Sequence, residues 1–187
     1  MLKKSAAKWL ALLFVTNLIG FISAYGKVRT KSALHLVERG KTFQEKILET
    51  TNEERAKHGV GALQWDTGLE NTATQWAKHL AAEDKFYHSN AGDQGLGENL
   101  YYAFGWPEGK VPKLAVEKWY DEIKDYDFNN PMFGHSTGHF TQLIWKDTRK
   151  VGCGMAKSSA GKIYVSCNYS PPGNYKGEFE DNVPPPL

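Results

Sequence analysis

Gly138-His139-Phe140-Thr141-Gln142-Leu143-Ile144-Trp145 packs an imidazole, a hydroxyl, an amide and four large apolar side chains into one short run. At helical spacing Phe140, Leu143 and Ile144 share one face, and His139 lies close to Leu143 at its edge. A group able to ligate a metal or carry a proton is thereby held beside core side chains. Read alone, the run is a short amphipathic helix whose histidine is satisfied internally.

A second run follows shortly after it, Tyr164-Val165-Ser166-Cys167-Asn168-Tyr169-Ser170-Pro171-Pro172-Gly173-Asn174-Tyr175. Upstream lie Phe86-Tyr87-His88-Ser89 and Gly97-Glu98-Asn99-Leu100. In this order the four motifs resemble the signatures of the CAP superfamily, the cysteine-rich secretory proteins, antigen 5 and the plant pathogenesis-related proteins. The resemblance runs from about Phe43 to the C-terminus. It implies an α+β fold, a three-layer α-β-α sandwich with a small antiparallel sheet between helices. It also implies that His88, Glu98, Glu122 and His139 meet in one cleft. His88 and His139 would be imidazole ligands of Zn2+ or another divalent ion, with Glu98 and Glu122 as hydrogen-bonding partners of the rings or of water. Spacing alone does not bring the four together, because they come from separate elements.

The first residues read as a secretory signal. Lys3, Lys4 and Lys8 precede an apolar run from Trp9 to Ile22, and Ala24 offers a cleavage point. The competing reading, an uncleaved anchor, is disfavoured because a span needs roughly 20 apolar residues. Cleavage takes Lys+Arg from 23 to 20 against 21 acidic residues, so the whole-chain charge of +2 becomes about −1. That balance excludes a nucleic-acid partner argued from charge. The expected organisation is a signal over 1–24, an N-terminal arm over 25–41, one domain over 42–180 and a tail over 181–187. The chain of 187 residues with 13% aromatics is long and apolar enough for one core.

Cys153 and Cys167 are the only cysteines. In a secreted chain such a pair reads as a disulfide. It would tie a hairpin of two strands, Lys150–Ala156 and Lys162–Tyr169. Thr42 with Glu45 and Thr67 with Glu70 fit capping boxes of two helices. A third helix starts near Pro112, with Val116, Trp119, Tyr120 and Ile123 as its stripe and Glu122 on the flank. His58 and His79 read as exposed helix residues. Asn168-Tyr169-Ser170 is formally a glycosylation sequon, with its strand context against occupancy.

Two hydrolytic chemistries lack residues that they need. His135 and His139 stand four apart, yet Ser136 occupies the place of the glutamate in a metalloprotease HExxH, and Gly138 weakens a helix through both. For hydrolysis no nucleophile is evident: where some family members carry a serine, six residues after the GEN glutamate, this chain has Phe104. The loop from Tyr126 to Phe133 resembles the aromatic pattern of the secreted sterol-binding members. That implies a sterol or fatty acid held by Tyr126, Phe128, Pro131 and Phe133. The stretch Gly177 to Val183 looks like that of the fungal sterol binders. A defence or signalling ligand acting on a receptor or a membrane surface is the alternative the family also offers.

Overall fold

Thr42 opens helix α1 (Phe43–Lys57) through the expected reciprocal cap: Glu45 N donates to Thr42 Oγ1 at 3.2 Å, and Thr42 N donates to Glu45 Oε2 at 2.7 Å. Short strand β1 (Gln64–Trp65) leads into α2 (Thr67–Glu83). The cap there is Asp66, one residue before the expected Thr67. Its Oδ1 accepts from Gly68 N and Leu69 N at 2.9 and 3.1 Å. A carboxylate outcompetes a hydroxyl at a helix N-terminus, where the dipole favours negative charge. Glu70 is thereby released to accept from Trp65 Nε1 at 2.8 Å. Strand β2 (Gly97–Ala103), α3 (Val111–Asp121), α4 (Gly138–Ile144), β3 (Lys150–Lys157), β4 (Ile163–Ser170) and the single turn α5 (Phe179–Asn182) complete the chain. This computed structural model describes residues 40–187, so the signal and all but the last two residues of the arm lie outside the described residues. Residues 42–187 form one unit.

The strands lie in the order β1-β3-β4-β2, with β3 and β2 antiparallel to β4, and β1 parallel to β3. Alternation assigns each face of this sheet a different partner. Gly152, Gly154, Tyr164 and Leu100 face α2. A Cβ at Gly154 would fall 2.2 Å from Thr74 Cα, and one at Gly152 would fall 2.2 Å from Glu70 N. The two glycines therefore let α2 rest directly on the backbone of β3. Val151, Cys153, Val165, Cys167 and Tyr169 face the other way, into the main core with Ile47 of α1, Trp119 of α3, and Phe140 and Leu143 of α4. Helix, sheet and helices thus form three layers, as expected. Cys153 and Cys167 are direct cross-strand partners, with Cα atoms 4.0 Å apart, and they form the expected disulfide.

Three local features follow from tertiary contacts. Residues 97–103 are an edge strand, because β4 supplies hydrogen-bond partners that no local pattern reveals. His58 is buried at 3% exposure rather than solvated. The tail is docked: Val183 is 3% exposed and Leu187 N donates to Lys57 O at 2.9 Å. His79 is exposed as expected, and its Nε2 meets Tyr87 Oη at 2.7 Å. Asn168 is 1% exposed and donates to Gly97 O, so the sequon faces inward in the folded chain.

Candidate functional site

Helix α4 is buried on both of its faces, which the periodicity of its apolar residues does not foretell. Thr141 and Gln142 are 0% and 2% exposed because the second signature lies over them. Thr141 Oγ1 donates to Asn174 Oδ1 at 2.6 Å, and Asn174 Nδ2 donates to Gly138 O at 2.9 Å. Gly173 N donates to Gln142 Oε1 at 2.8 Å. A Cβ on Gly173 would fall 2.8 Å from Trp145 Cγ, so only glycine lets this backbone approach. The two runs singled out in the sequence are therefore two halves of one hydrogen-bonded unit.

Glu122 begins the 3-10 turn that ends α3, and from there it reaches the start of α4. Its Oε2 accepts from His139 N and Phe140 N at 2.9 and 3.1 Å. Its Oε1 lies 2.6 Å from His139 Nδ1. One carboxylate thus satisfies two unpaired amides of the first helical turn and orients the ring. The His139 ring also stacks on Trp119, with centroids 6.4 Å apart and planes 21° off parallel. With Nδ1–H donated to the carboxylate, Nε2 carries the free lone pair.

His88 and Glu98 form a second pair of the same kind. His88 Nδ1 lies 2.7 Å from Glu98 Oε1, which also accepts from Ser89 N at 3.0 Å, while Ser89 Oγ donates to Oε2. The Glu98 side chain is 6% exposed and that of His88 63%. The hydrogen bond to Glu98 raises the pKa of His88 above its ordinary value, against a smaller lowering by desolvation. Both glutamates are thus consumed in orienting imidazoles. Strand β2 touches both pairs through adjacent residues. Glu98 belongs to one pair, and its neighbour Asn99 donates from Nδ2 to His139 O at 3.0 Å in the other. Among the described residues, no group of three or more His, Cys, Asp or Glu side chains could hold a metal ion. His135 is exposed and precedes α4, so it shares no helix with His139. Phe104, just past the end of β2, is 66% exposed.

Sequence reasoning missed the residue beneath this assembly. Arg55, 0% exposed, donates to Gly61 O at 2.7 Å, to Leu143 O and Trp145 O at 2.9 Å each, and to Thr148 O at 3.3 Å. Burial brings its pKa down to about 10. A cation placed on the last carbonyls of α4 complements the negative end of that helix. An arginine flanked by Glu54 and Ala56 gives no local sign of burial; only its four carbonyl partners, all later in the chain, explain it.

The loop after α3 divides into an anchored half and an exposed half. Tyr126 is 8% exposed, and its ring lies 4.9 Å from Phe128 and 5.6 Å from Phe140. Its buried hydroxyl has no hydrogen-bond partner among the described residues, and desolvation pushes its pKa up to about 12. Phe128 is partly buried against the same core. Beyond them Pro131 is half-buried, and Met132 and Phe133 are 55% and 49% exposed.

The cysteine-rich secretory protein family (CAP) matches residues 48–169. The human Golgi-associated plant pathogenesis-related protein 1 is 41% identical over 149 residues, covering 78% of this chain and 95% of that protein. Pathogenesis-related protein 1A of Nicotiana tabacum is 39% identical over 142 residues, covering 75% and 82%. Protein PRY2 of Saccharomyces cerevisiae is 38% identical over 146 residues, covering 76% of this chain and 41% of that protein. Among solved structures, NaASP2 crystallised with Zn2+ aligns with a TM-score of 0.62 at 25% identity, over 76% of this chain and 85% of that one.

Proposed function

The chain belongs to the cysteine-rich secretory protein family (CAP), and on that premise we propose that it is a secreted protein that binds a sterol or related lipid against the 126–133 loop. The observation that carries this reading is the division of the loop. Tyr126 and Phe128 root it in the core, and Pro131, Met132 and Phe133 present an apolar tip. Met132 and Phe133 are each about half exposed, so covering them with a flat apolar ligand regains about 1 kcal/mol per side chain. A sterol ring system or a fatty acyl chain offers such a surface. Met adds adaptability and Phe a flat face.

The test separates the tip from its roots. A Met132→Ser/Phe133→Ser variant should keep the wild-type unfolding midpoint and lose most capture of radiolabelled sterol. Unchanged capture removes this loop from the proposal. Phe128→Ser is the poorer probe, because its ring contacts place it in the core.

The same reading gives the two His–Glu pairs a divalent ion. His88 and His139 would hold it through Nε2, with Glu98 and Glu122 fixing the ring tautomers. The ion would supply a positive charge at the start of β2. The donor chemistry suits zinc, as in the solved relative crystallised with Zn2+. Two protein ligands are fewer than the three or four of resident zinc sites, so the ion would exchange. Zinc calorimetry should show binding in the wild type and its loss in His88→Ala/His139→Ala; equal isotherms refute the site.

A further inference from the structure

His58 has no part in either pair, yet it is the most enclosed histidine of the described residues. It stands at the C-terminal cap of α1 and touches four other segments. Its Nδ1 lies 2.7 Å from Pro184 O in the tail, and its Nε2 lies 3.1 Å from Tyr120 Oη on α3. A carbonyl only accepts, so Nδ1 carries the proton, and Nε2 must accept from the tyrosine hydroxyl. The ring lies against Phe140 of α4, tilted at 5.6 Å, and stacks on Phe128 of the loop at 6.5 Å, 26° from parallel. The neutral imidazole is thus fully satisfied in an aromatic box.

We propose that His58 is an acid-sensitive latch: neutral, it holds the 126–133 loop shut through Phe128, and on protonation it releases that loop while the tail stays docked. The reasoning is geometric. A second proton falls on Nε2, which faces a hydroxyl that was donating. The charge then sits 3% exposed among three aromatic rings. The ionisable groups that face it are Glu54 and Lys57 of α1 and Tyr120 of α3; the loop, α4 and the tail contribute Phe128, Phe140 and the Pro184 carbonyl. Glu54 is already engaged by Lys57, whose ammonium lies 4.7 Å from the Tyr120 ring centroid as a nearby like charge. Hydrating the imidazolium requires one wall of the box to move. Tyr120 and Phe140 stand on helices. Phe128 stands on a loop whose residues 127–130 hydrogen-bond among themselves, through Asn129 N to Asp127 Oδ1 and Asn130 N to Asp127 O. The Phe128 wall is therefore the one that lifts. The bond from Nδ1–H to Pro184 O survives in either protonation state, so the tail remains.

Burial lowers the pKa of His58 below its ordinary 6.5. The closed form therefore favours the neutral ring. The latch holds fully above about pH 6.5 and weakens as pH falls through that value toward the closed-state pKa. Opening would expose the undersides of Tyr126 and Phe128. That this alters lipid capture rests on the function proposed above; the latch itself does not.

Hydrogen exchange of the full chain at about pH 7.5 and about pH 5, corrected for intrinsic rates, tests it. Opening of 126–133 should rise several-fold at the lower pH, with a ceiling of about 30-fold if only the open state takes the proton. Exchange at Val183 should not follow. His58→Gln should abolish the pH dependence. Tyr120→Phe, which removes the donor that only the neutral ring accepts, should raise both the NMR-detected pKa of His58 and the pH of opening together. The proposal is overturned if His58→Gln opens with the wild-type pH profile, if loop and tail loosen in parallel, or if His58 titrates with no change at 126–133. Sterol capture by the same samples at about pH 7.5 reports separately on the lipid reading.

Discussion

Replacing Glu122 with alanine should cost about 3 kcal/mol of folding stability, although the residue lies in neither the core nor a regular helix. The figure comes from what its carboxylate holds. Two backbone amides at the start of α4 donate to Oε2 at 2.9 and 3.1 Å, and the His139 ring lies 2.6 Å from Oε1. A hydrogen bond to a charged partner contributes about 1.5–3 kcal/mol, and removing a helix N-cap costs about 1 kcal/mol. The three bonds share one anion and are not additive, so the sum lies well below three independent bonds. Water can reach part of the vacated site, since the side chain is 20% exposed. Glu122→Gln keeps one carbonyl oxygen but turns a donor toward one set of partners, and should lose about half as much. Urea unfolding followed by tryptophan fluorescence reads this directly. The midpoint should fall with the slope unchanged, matching a drop of about 10 °C in Tm for a domain of this size. A loss under about 1 kcal/mol for Glu122→Ala would refute the idea that this carboxylate holds α4 in place.

Arg55→Met should destabilise by about 3–5 kcal/mol, because it strands carbonyls of Gly61, Leu143, Trp145 and Thr148 that lie in the interior; denaturant titration measures it, and a near-neutral result would mean water replaces the guanidinium. His88, whose pKa is raised by its hydrogen bond to Glu98, should contribute stability that is full below about pH 6.5 and fades as pH climbs through its folded pKa. An NMR titration should show the His88 pKa falling toward its ordinary value in Glu98→Gln, and an unchanged midpoint would refute the pairing.

Much of the architecture can be read from local pattern. The cap at Thr42, the hairpin of Lys150–Lys157 with Ile163–Ser170, its disulfide and the proline-started α3 all follow from residues near one another in the chain, at most some twenty positions apart. The failures share a cause. Residues 97–103 become a strand only because β4 arrives from more than sixty residues away. His58 is buried only because Tyr120 and Pro184 close over it, and Arg55 only because the end of α4 does. Asp66 displaced Thr67 as a cap because two good candidates adjoined and the charged one won. Of the site, the resemblance pointed to His88, Glu98, Glu122 and His139. It implied the glutamates as hydrogen-bonding partners, but not which one takes which ring, nor the backbone amides that each also binds. In the loop, the aromatic pattern did not separate Tyr126 and Phe128, which serve the core, from Met132 and Phe133, which face out.

The proposed lipid function is tested most directly by native mass spectrometry of the protein purified from the cells and medium that produce it. The wild type should carry mass increments of sterol or fatty-acid size that vanish in Met132→Ser/Phe133→Ser while the variant stays folded. A wild-type protein that emerges bare and takes up no lipid on incubation would contradict it.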